Sequence, residues 1–289
     1  MHIINAQGEE ERFQKEKFCK SLEKAGIPRH IVDEACSQIE RKVRPGMNTA
    51  DIFSVTHRLL KEINPGFAAS YNLKRGIMAL GPAGFFFEKY IAAILRSYGY
   101  SVATNRMVKG KCVFHEIDVV AEKEDVHYMI EAKFRNDQKF KVDSPIAMYA
   151  YARLLDITAA EEKREEIPKT HAMWLFTNAK FTTTAIKYAH CVGIKMTGWS
   201  YPQRESLEDI VKAKMLFPVT ALPSVNAFTR DQFIERDIMF AHNVLAYSAQ
   251  DMVHQFGFRF GRARQILREA RLLHELRETL YSPSTSSGQ

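Results

Sequence analysis

The sequence is poor in cysteine, and its few cysteines form no paired motif. Cys19, Cys36, Cys112 and Cys191 are widely spaced, without a Cys-x-x-Cys pair. This spacing argues against a zinc site and favours reduced thiols in a cytoplasmic protein. The sequence also lacks the ~20-residue apolar run of a membrane-spanning helix. Its amino terminus, MHIINAQGEEERF, has no basic start followed by an apolar stretch, so we expect neither a secretory signal nor a membrane segment.

Positively charged residues are in moderate excess over negatively charged ones. The 41 Lys and Arg residues outnumber the 34 Asp and Glu residues, which gives a formal net charge of +7. This balance permits nucleic acid as a partner without requiring it. A hydrophobic fraction of 46% is that of an ordinary globular protein. The length predicts two domains, or three small ones.

The most informative stretch, residues 112–134 (CVFHEIDVVAEKEDVHYMIEAKF), predicts a β-hairpin. Two runs rich in Val, Ile and aromatic residues flank a charged break at 122–125, where a turn is expected. Side chains alternate between the two faces of a strand, so one face is apolar and the other is charged. The apolar set is Ile117, Val119, Ala121, Tyr128, Ile130 and Ala132, and the charged set is Glu116, Asp118, Glu131 and Lys133.

The charged set gathers three carboxylates in one small volume, because cross-strand and diagonal neighbours lie only ~5 to 8 Å apart. A proton or a cation must offset their repulsion. Oxygen ligands suit a hard divalent ion such as Mg²⁺, which takes one or two protein carboxylates. An ordinary surface hairpin with one polar face is the alternative interpretation. The strongly apolar strands around the charges favour the metal site.

Asp118, the twelve residues after it and Glu131-Ala132-Lys133 resemble the PD-(D/E)xK nuclease signature. The chain is more narrowly similar to the catalytic domain of Mrr-type restriction endonucleases. GFFFEKYIAAILRSYGYSV, from Gly84, resembles the first helix and strand of that family, and Glu88 matches its site-facing Glu. The resemblance covers about residues 80 to 200. It departs at His115-Glu116-Ile117-Asp118, where Glu116 adds to a metal ligand or replaces it.

The resemblance implies a metal-dependent endonuclease that hydrolyses DNA phosphodiester bonds with Mg²⁺ or Mn²⁺. The implied catalytic residues are Asp118, Glu131, Lys133 and Glu88, and the implied metal ligands are Asp118, Glu131, Glu116 and the carbonyl of Ala132. The alternative is a nuclease-like fold that binds nucleic acid without cutting it, or that serves as a nucleotide-responsive regulator. We expect a homodimer in either case.

His115 lies beside the charged set but on the opposite face of its strand by alternation. A structural histidine bonded to a neighbouring carbonyl is the simpler interpretation of this position. A catalytic histidine is the alternative.

Residues 1–79 predict a helical module with a short extended start at Ile3-Ile4. The module resembles the ATP-cone, a nucleotide-binding regulatory domain, in its turn at Gly8, its helices from Phe13 and Thr49, and the segment Ala69-Ser70-Tyr71-Asn72-Leu73. The resemblance implies ATP or dATP as an effector. That family usually has a basic pair before the turn glycine, where this chain has Asn5-Ala6-Gln7, so we assign no nucleotide-binding residue.

A strand–helix–strand run follows the hairpin, and it predicts a right-handed parallel crossover. We therefore expect an α/β fold of the restriction-endonuclease type, with a mixed sheet flanked by helices. An all-α ATP-cone-like domain precedes it and a helical region follows. The expected boundaries are 1–79, 80–203 and 204–281, with a disordered tail at 282–289.

The carboxy-terminal region contains a glycine turn before a helix start, FGFRFGRARQIL at residues 256–267. Backbone N–H groups at such a helix start favour phosphate. The stretch is weakly similar to a helix-hairpin-helix, which implies contact of Arg259, Arg262 and Arg264 with the DNA backbone. The simpler interpretation is a salt-bridged solvent face, because Glu269, Glu275 and Glu278 are interleaved with the arginines.

Overall fold

A computed structural model describes residues 1–5, 8–81, 84–137, 139–161 and 170–281. The chain forms two compact units. One unit is Ile77–Leu216, and the other combines Met1–Gly76 with the segment from Phe217 onward. No helix in the described part of the chain is long and apolar enough to cross a membrane. The tail that we expected to be disordered lies outside the described residues.

The described residues contain seven strands and twelve α-helices. The strands are β1 (His2–Ile4), β2 (Glu10–Arg12), β3 (Ser101–Lys109), β4 (Phe114–Lys123), β5 (Val126–Lys133), β6 (Thr170–Thr177) and β7 (Lys195–Thr197). The helices are α1 (Lys15–Lys24), α2 (Arg29–Lys42), α3 (Thr49–Ile63), α4 (Pro65–Tyr71), α5 (Leu73–Met78), α6 (Gly84–Ser97), α7 (Ser144–Glu161), α8 (Thr183–Cys191), α9 (Leu207–Ala213), α10 (Ala227–Ile234), α11 (Ala249–Phe256) and α12 (Phe260–Tyr281).

Strands β3 to β7 form one mixed sheet in the order β3-β4-β5-β6-β7. The first three strands are antiparallel, and β5, β6 and β7 are parallel. Parallel neighbours need a crossover connection, and α7 and α8 are the helices between them in the chain. The prediction of a mixed sheet flanked by helices is confirmed.

Helices cover both faces of this sheet. On one face, residues of α7 and α8 share a buried cluster with Met129, Met173 and Leu175. Trp174 and Phe176 point to the other face because side chains alternate along β6. There they line a cavity together with residues of α6. Alternate residues of β6 therefore face the buried cluster on one side of the sheet and the cavity on the other.

The predicted hairpin is formed by β4 and β5, with a shorter turn than expected. Lys123 pairs with Val126, so only residues 124 and 125 form the turn, and Glu124 has a φ of 56°. The pairing ends at Val119 and Ile130. Tyr128, which we expected in the core on the apolar face of the hairpin, is half-buried. Ile117 belongs instead to the buried cluster that contains residues of α7.

The amino-terminal region is not all-helical as predicted. Strands β1 and β2 pair in an antiparallel hairpin, in which Ile4 lies opposite Glu10. Gly8 permits the turn, because its φ of 87° suits glycine best. Buried Ile3 gives the hairpin an apolar contact with the rest of its unit. The extended start predicted at Ile3-Ile4 is therefore strand β1, while β2 (Glu10–Arg12) was not predicted.

Two of the four cysteines are bonded, which corrects the expectation of reduced thiols. Cys19 on α1 and Cys36 on α2 form a disulfide with a Cα–Cα distance of 5.8 Å. They are 17 residues apart, so only the packing of the two helices brings them together. Cys112 and Cys191 are free and exposed.

The carboxy-terminal helices pack with the amino-terminal ones, a grouping that differs from the separate domain expected at 204–281. The hydroxyl of Thr220 donates to the carbonyl of Gly76 at 2.6 Å. A Cβ added to Gly66 would lie 2.6 Å from the backbone of Leu272, so α4 and α12 meet backbone to backbone. Such contacts join residues far apart in the chain, and local composition does not reveal them.

Glu269 on α12 is buried, so it does not lie on a solvated helix face as expected. Its carboxylate accepts hydrogen bonds from the backbone N–H of Ser224 at 2.8 Å and from the Ser224 hydroxyl at 2.6 Å. The ammonium of Lys61 lies 3.9 Å from the same carboxylate. Burial raises the pKa of Glu269, and the Ser224 hydrogen bonds oppose that shift.

We expect Glu269→Ala to lower the free energy of unfolding by about 1–3 kcal/mol, because both Ser224 donors lose a buried acceptor. Urea denaturation of the full chain measures this effect. Glu275→Ala is the matched control, since Glu275 is an exposed glutamate on the same helix. Equal losses in the two variants would contradict a buried network at Ser224.

Candidate functional site

Asp118 lies where β4 and β5 separate. Beyond the Val119–Ile130 pair the two strands are no longer paired, and the Asp118 carboxylate accepts the backbone N–H of Ala132 at 2.8 Å. Ala132 stands between Glu131 and Lys133 in the chain. This hydrogen bond therefore fixes Asp118 beside both charged residues of the Glu-Ala-Lys segment.

Glu131 has a buried cationic partner that the sequence did not lead us to assign. Nη1 of Arg153 lies 2.5 Å from Oε2 of Glu131, and only 8% and 15% of the two side chains are exposed. Nε of Arg153 has no hydrogen-bond partner within the described residues. The available signal was Arg153 itself, a cation within the apolar helix stretch SPIAMYAYARLLDITAA. A buried cation needs a partner of opposite charge.

Glu88, Glu116, Asp118 and Glu131 act on one another electrostatically. Burial raises the pKa of Glu88 to about 7, and the carboxylates of Asp118, Glu116 and Glu131 add to the shift. Burial and then Glu131 raise the pKa of Asp118 to about 6. The Ala132 N–H, Arg153 and Lys133 oppose that rise. The structure thus brings together the side chains of the predicted set, while their catalytic and metal-binding roles stay predictions.

His115 bonds to a carboxylate on α7 rather than to the backbone carbonyl that we expected. Its Nε2 lies 2.8 Å from Oδ2 of Asp156. Asp156 also accepts the backbone N–H groups of Cys112 and Val113, at 2.9 and 3.3 Å. The His115 bond and these N–H groups hold the pKa of Asp156 well below its usual range. A Cβ at Gly110 would lie 2.0 Å from the Asp156 carboxylate, so glycine leaves room for this contact.

The candidate metal donors at the β4–β5 separation are all oxygen atoms, the ligand type that hard divalent cations prefer. Among the described residues, no three or more His, Cys, Asp or Glu side chains are arranged to hold a metal ion. Asp118, Glu131 and the Ala132 carbonyl form a smaller, all-oxygen set. Mg²⁺ commonly takes one or two protein carboxylates and keeps several waters.

The three arginines implied in DNA contact belong to the other compact unit. Gly257, with a φ of 69°, ends α11, and α12 begins at Phe260, so a tight turn precedes a helix as predicted. Arg259, Arg262 and Arg264 are exposed. Arg262 also donates to the Ser224 carbonyl at 2.7 Å, which fixes its side chain against the unit.

The amino-terminal region contains a cavity of about 240 Å³ beside its hairpin. Arg12 and Lys17 contribute charge to its lining, and Phe53 and Tyr71 contribute rings. The Phe53 ring stacks on Tyr71, with centroids 5.0 Å apart. The guanidinium of Arg75 lies 3.5 Å from the centroid of the Phe53 ring. The turn residues Ala6 and Gln7 lie outside the described residues.

Comparison with known proteins places the chain in a family. An uncharacterized protein from Archaeoglobus fulgidus is 38% identical over 181 residues, which are 63% of this chain and 98% of the archaeal protein. This chain belongs to the same family as that protein. A crystal structure of a protein of unknown function is also similar, with 36% identity and a TM-score of 0.56, over 67% of this chain and 100% of that one. No protein-family model matches the chain.

The raised pKa of Glu88 predicts a stability effect that depends on pH. Its ordinary pKa is 4.5 and the fold raises it to about 7, so the fold favours the protonated acid. The stabilisation by protonated Glu88 is fully present below its ordinary pKa, and it is lost as the pH rises through its raised pKa in the fold. With EDTA present, we therefore expect Glu88→Gln to melt at a higher temperature than the native chain at about pH 8, and the difference to narrow toward about pH 5.

Thermal melts at both pH values measure this difference, with Glu124→Gln at the exposed hairpin turn as the control. A difference that does not change with pH would contradict the raised pKa of Glu88.

Arg153→Met should lower the free energy of unfolding by about 3 kcal/mol or more, because it leaves the Glu131 carboxylate partly buried without its partner. Adding Glu131→Gln to the same chain should recover part of the loss, since the unpaired charge is then gone. A double-mutant cycle by urea denaturation measures the coupling between the two residues. Strictly additive effects would show that the ion pair does not stabilise the fold.

Proposed function

We propose that this protein is a metal-dependent endonuclease that hydrolyses DNA phosphodiester bonds. The observation that carries the proposal is the hydrogen bond from the Ala132 N–H to Asp118, which holds Asp118 beside Glu131 and Lys133. The fold of the unit Ile77–Leu216 supports it, because a helix with Glu88 precedes an antiparallel hairpin and two parallel crossovers. This order is the one expected for a restriction-endonuclease-like domain of the PD-(D/E)xK type.

Charge balance at the cluster supports a divalent ion. Glu88, Glu116, Asp118 and Glu131 supply four carboxylates, while Arg153 and Lys133 supply two cations. When all are ionised, two negative charges remain without a partner. One divalent cation would neutralise them, and an all-oxygen donor set suits Mg²⁺ or Mn²⁺.

In this proposal, Asp118, Glu131 and the Ala132 carbonyl would hold the ion. Glu88 and Glu116 would complete its ligands, directly or through water. A bound divalent ion lowers the pKa of its water and offsets charge on the phosphate. Lys133 positions the attacking water or stabilises the developing negative charge. Arg153 keeps the Glu131 carboxylate in place through their ion pair.

We further infer that the amino-terminal region is ATP-cone-like and that ATP or dATP acts there as an effector of a cytoplasmic homodimer. The cavity lined by Arg12, Lys17 and aromatic rings supports a nucleotide site. The exposed Arg259 and Arg264, with Arg262 beside them, would contact the DNA backbone.

A non-cleaving nucleic-acid-binding protein with the same fold is the second candidate. The Glu131–Arg153 ion pair favours it, because the pair neutralises one carboxylate of the cluster without any metal. A nucleotide-responsive regulator is a variant of this candidate, in which the sheet domain serves only for dimerisation.

We expect the full chain to nick supercoiled plasmid when Mg²⁺ or Mn²⁺ is present and not in EDTA. Glu131→Ala and Lys133→Ala should each abolish nicking, because one removes a metal ligand and the other removes the cation beside the attacked phosphate. Glu124→Ala, at the turn of the same hairpin, should leave it unchanged. Each reaction is run with and without ATP, and a difference between them would identify the amino-terminal region as a regulator.

The outcomes separate the candidates. An absence of cutting together with salt-sensitive DNA binding would favour the non-cleaving protein. If the chain neither cuts nor binds DNA, the nucleic-acid proposal is wrong and the regulator remains.

A further inference from the structure

A cavity of about 310 Å³ lies on the face of the sheet opposite to Glu131. Glu131 pairs with Leu175 across β5 and β6, and Trp174 is the neighbour of Leu175, so Trp174 points to the other side. Helix α6, β6, β7 and α9 supply the cavity walls. The volume lies near the lower end of the ~300–1,000 Å³ range of small-molecule sites.

Aromatic rings form one continuous wall of this cavity. Tyr100 and Trp174 have ring centroids 6.1 Å apart, and Trp174 and Phe176 have centroids 4.6 Å apart. Tyr98 lines the cavity from the end of α6, with its hydroxyl bonded to the Ile210 carbonyl. The indole N–H of Trp174 donates to the Thr197 hydroxyl at 3.0 Å, which fixes the plane of that ring.

Cations lie over three of these rings, and one of them, Lys195, also lines the cavity. The Lys195 ammonium is 3.7 Å from the Trp174 centroid, and the Lys214 ammonium is 4.3 Å from the Tyr98 centroid. The Lys123 ammonium is 5.0 Å from the Tyr100 centroid. Arg204 is in the lining as well. Burial lowers the pKa of Lys195, which indicates that its ammonium is short of water.

The lining of the cavity carries charges of both signs. Lys195 and Arg204 are its cations, and Glu205 and Asp209 are its carboxylates. Asp209 already accepts the backbone N–H and the hydroxyl of Ser206 as part of the α9 cap. Glu205 is exposed and can accept a hydrogen bond from a ligand.

We propose that this cavity binds an unstacked nucleobase together with its phosphate. Tyr100 and Phe176 offer ring surface for the base, while Lys195, which lies over the Trp174 ring, and Arg204 offer charge to the phosphate. Aromatic stacking combined with cations is the arrangement that single-stranded nucleic acid uses when it binds protein. Glu205 would accept a hydrogen bond from an exocyclic amine of the base. No residue of the carboxylate cluster takes part, so this proposal does not depend on the proposed nuclease activity.

Other ligand classes fit the cavity less well. A quaternary ammonium group uses an aromatic cage, but Lys195 already covers the Trp174 ring and would repel it. A small aliphatic acid would pair with the cations and leave the rings without a contact. A planar anion is the class that uses both features at once.

The base and its phosphate could come from a free mononucleotide or from one unit of a single strand, and the test has an arm for each. The probes are dAMP, TMP and a mixed-sequence single-stranded deoxyoligonucleotide, each titrated into the full chain in EDTA to prevent cleavage. Tryptophan fluorescence is the readout. The chain has two tryptophans, Trp174 and Trp199, and both belong to the unit Ile77–Leu216. Binding in the amino-terminal cavity would therefore not place a base on either indole.

We expect quenching that saturates, with affinity falling about tenfold or more in Tyr100→Ala, since each base–aromatic stack contributes substantially. Lys195→Ala should weaken binding to a similar degree by removing a phosphate contact. Lys187→Ala, an exposed lysine on α8 outside the cavity, is the matched control and should bind as the native chain does.

Quenching by dAMP or TMP would identify the ligand as a free mononucleotide. Quenching by the oligonucleotide alone would identify it as a single strand of nucleic acid. The proposal is overturned if no probe changes the fluorescence and calorimetry detects no binding. It is also overturned if Tyr100→Ala and Lys195→Ala bind every probe as tightly as the native chain.

Discussion

The end of the β4–β5 ladder determines the arrangement of the charged cluster. Past the Val119–Ile130 pair, Ala132 no longer faces a backbone partner on β4, and the Asp118 side chain accepts its N–H instead. A buried N–H group needs an acceptor, so this carboxylate takes over a role that the backbone would otherwise have. The same bond brings a negative charge next to Glu131. Repulsion and burial then raise the pKa of Asp118 to about 6.

Helix α7 relieves part of that repulsion and also fixes the approach to β4. Arg153 bonds to Glu131, and one turn later Asp156 bonds to His115 and to the backbone before β4. Residues three apart lie on one side of a helix, so the two contacts come from the same face. The helix therefore does more than cover the apolar cluster. One face of this helix positions both Glu131 and the start of β4.

Local patterns in the sequence predicted the helices and strands of this domain, but they did not predict its long-range contacts. Alternation along 112–134 predicted the hairpin. It did not predict that Ile117 joins the cluster with residues of α7, or that Asp118 is held beside Glu131 through the Ala132 N–H. The same sequence shows Arg153 and Asp156 on an apolar helix but does not indicate their partners, which lie more than twenty residues away. Cys19 and Cys36 pair for the same reason, through the packing of two helices. The grouping of α12 with α4 also depends on backbone contact at Gly66, which local composition does not show.

A hairpin that served only as a scaffold would not need a cluster of charged residues. Replacing a buried ion pair by well-packed apolar side chains is often neutral or stabilising. Here the arrangement goes further, since four carboxylates stand against two cations. The raised pKa values of Glu88 and Asp118 show that the fold disfavours their ionised forms at neutral pH in the absence of a further cation. The uncompensated charge, rather than the sequence pattern alone, is the physical reason to expect a bound divalent cation at this end of the sheet.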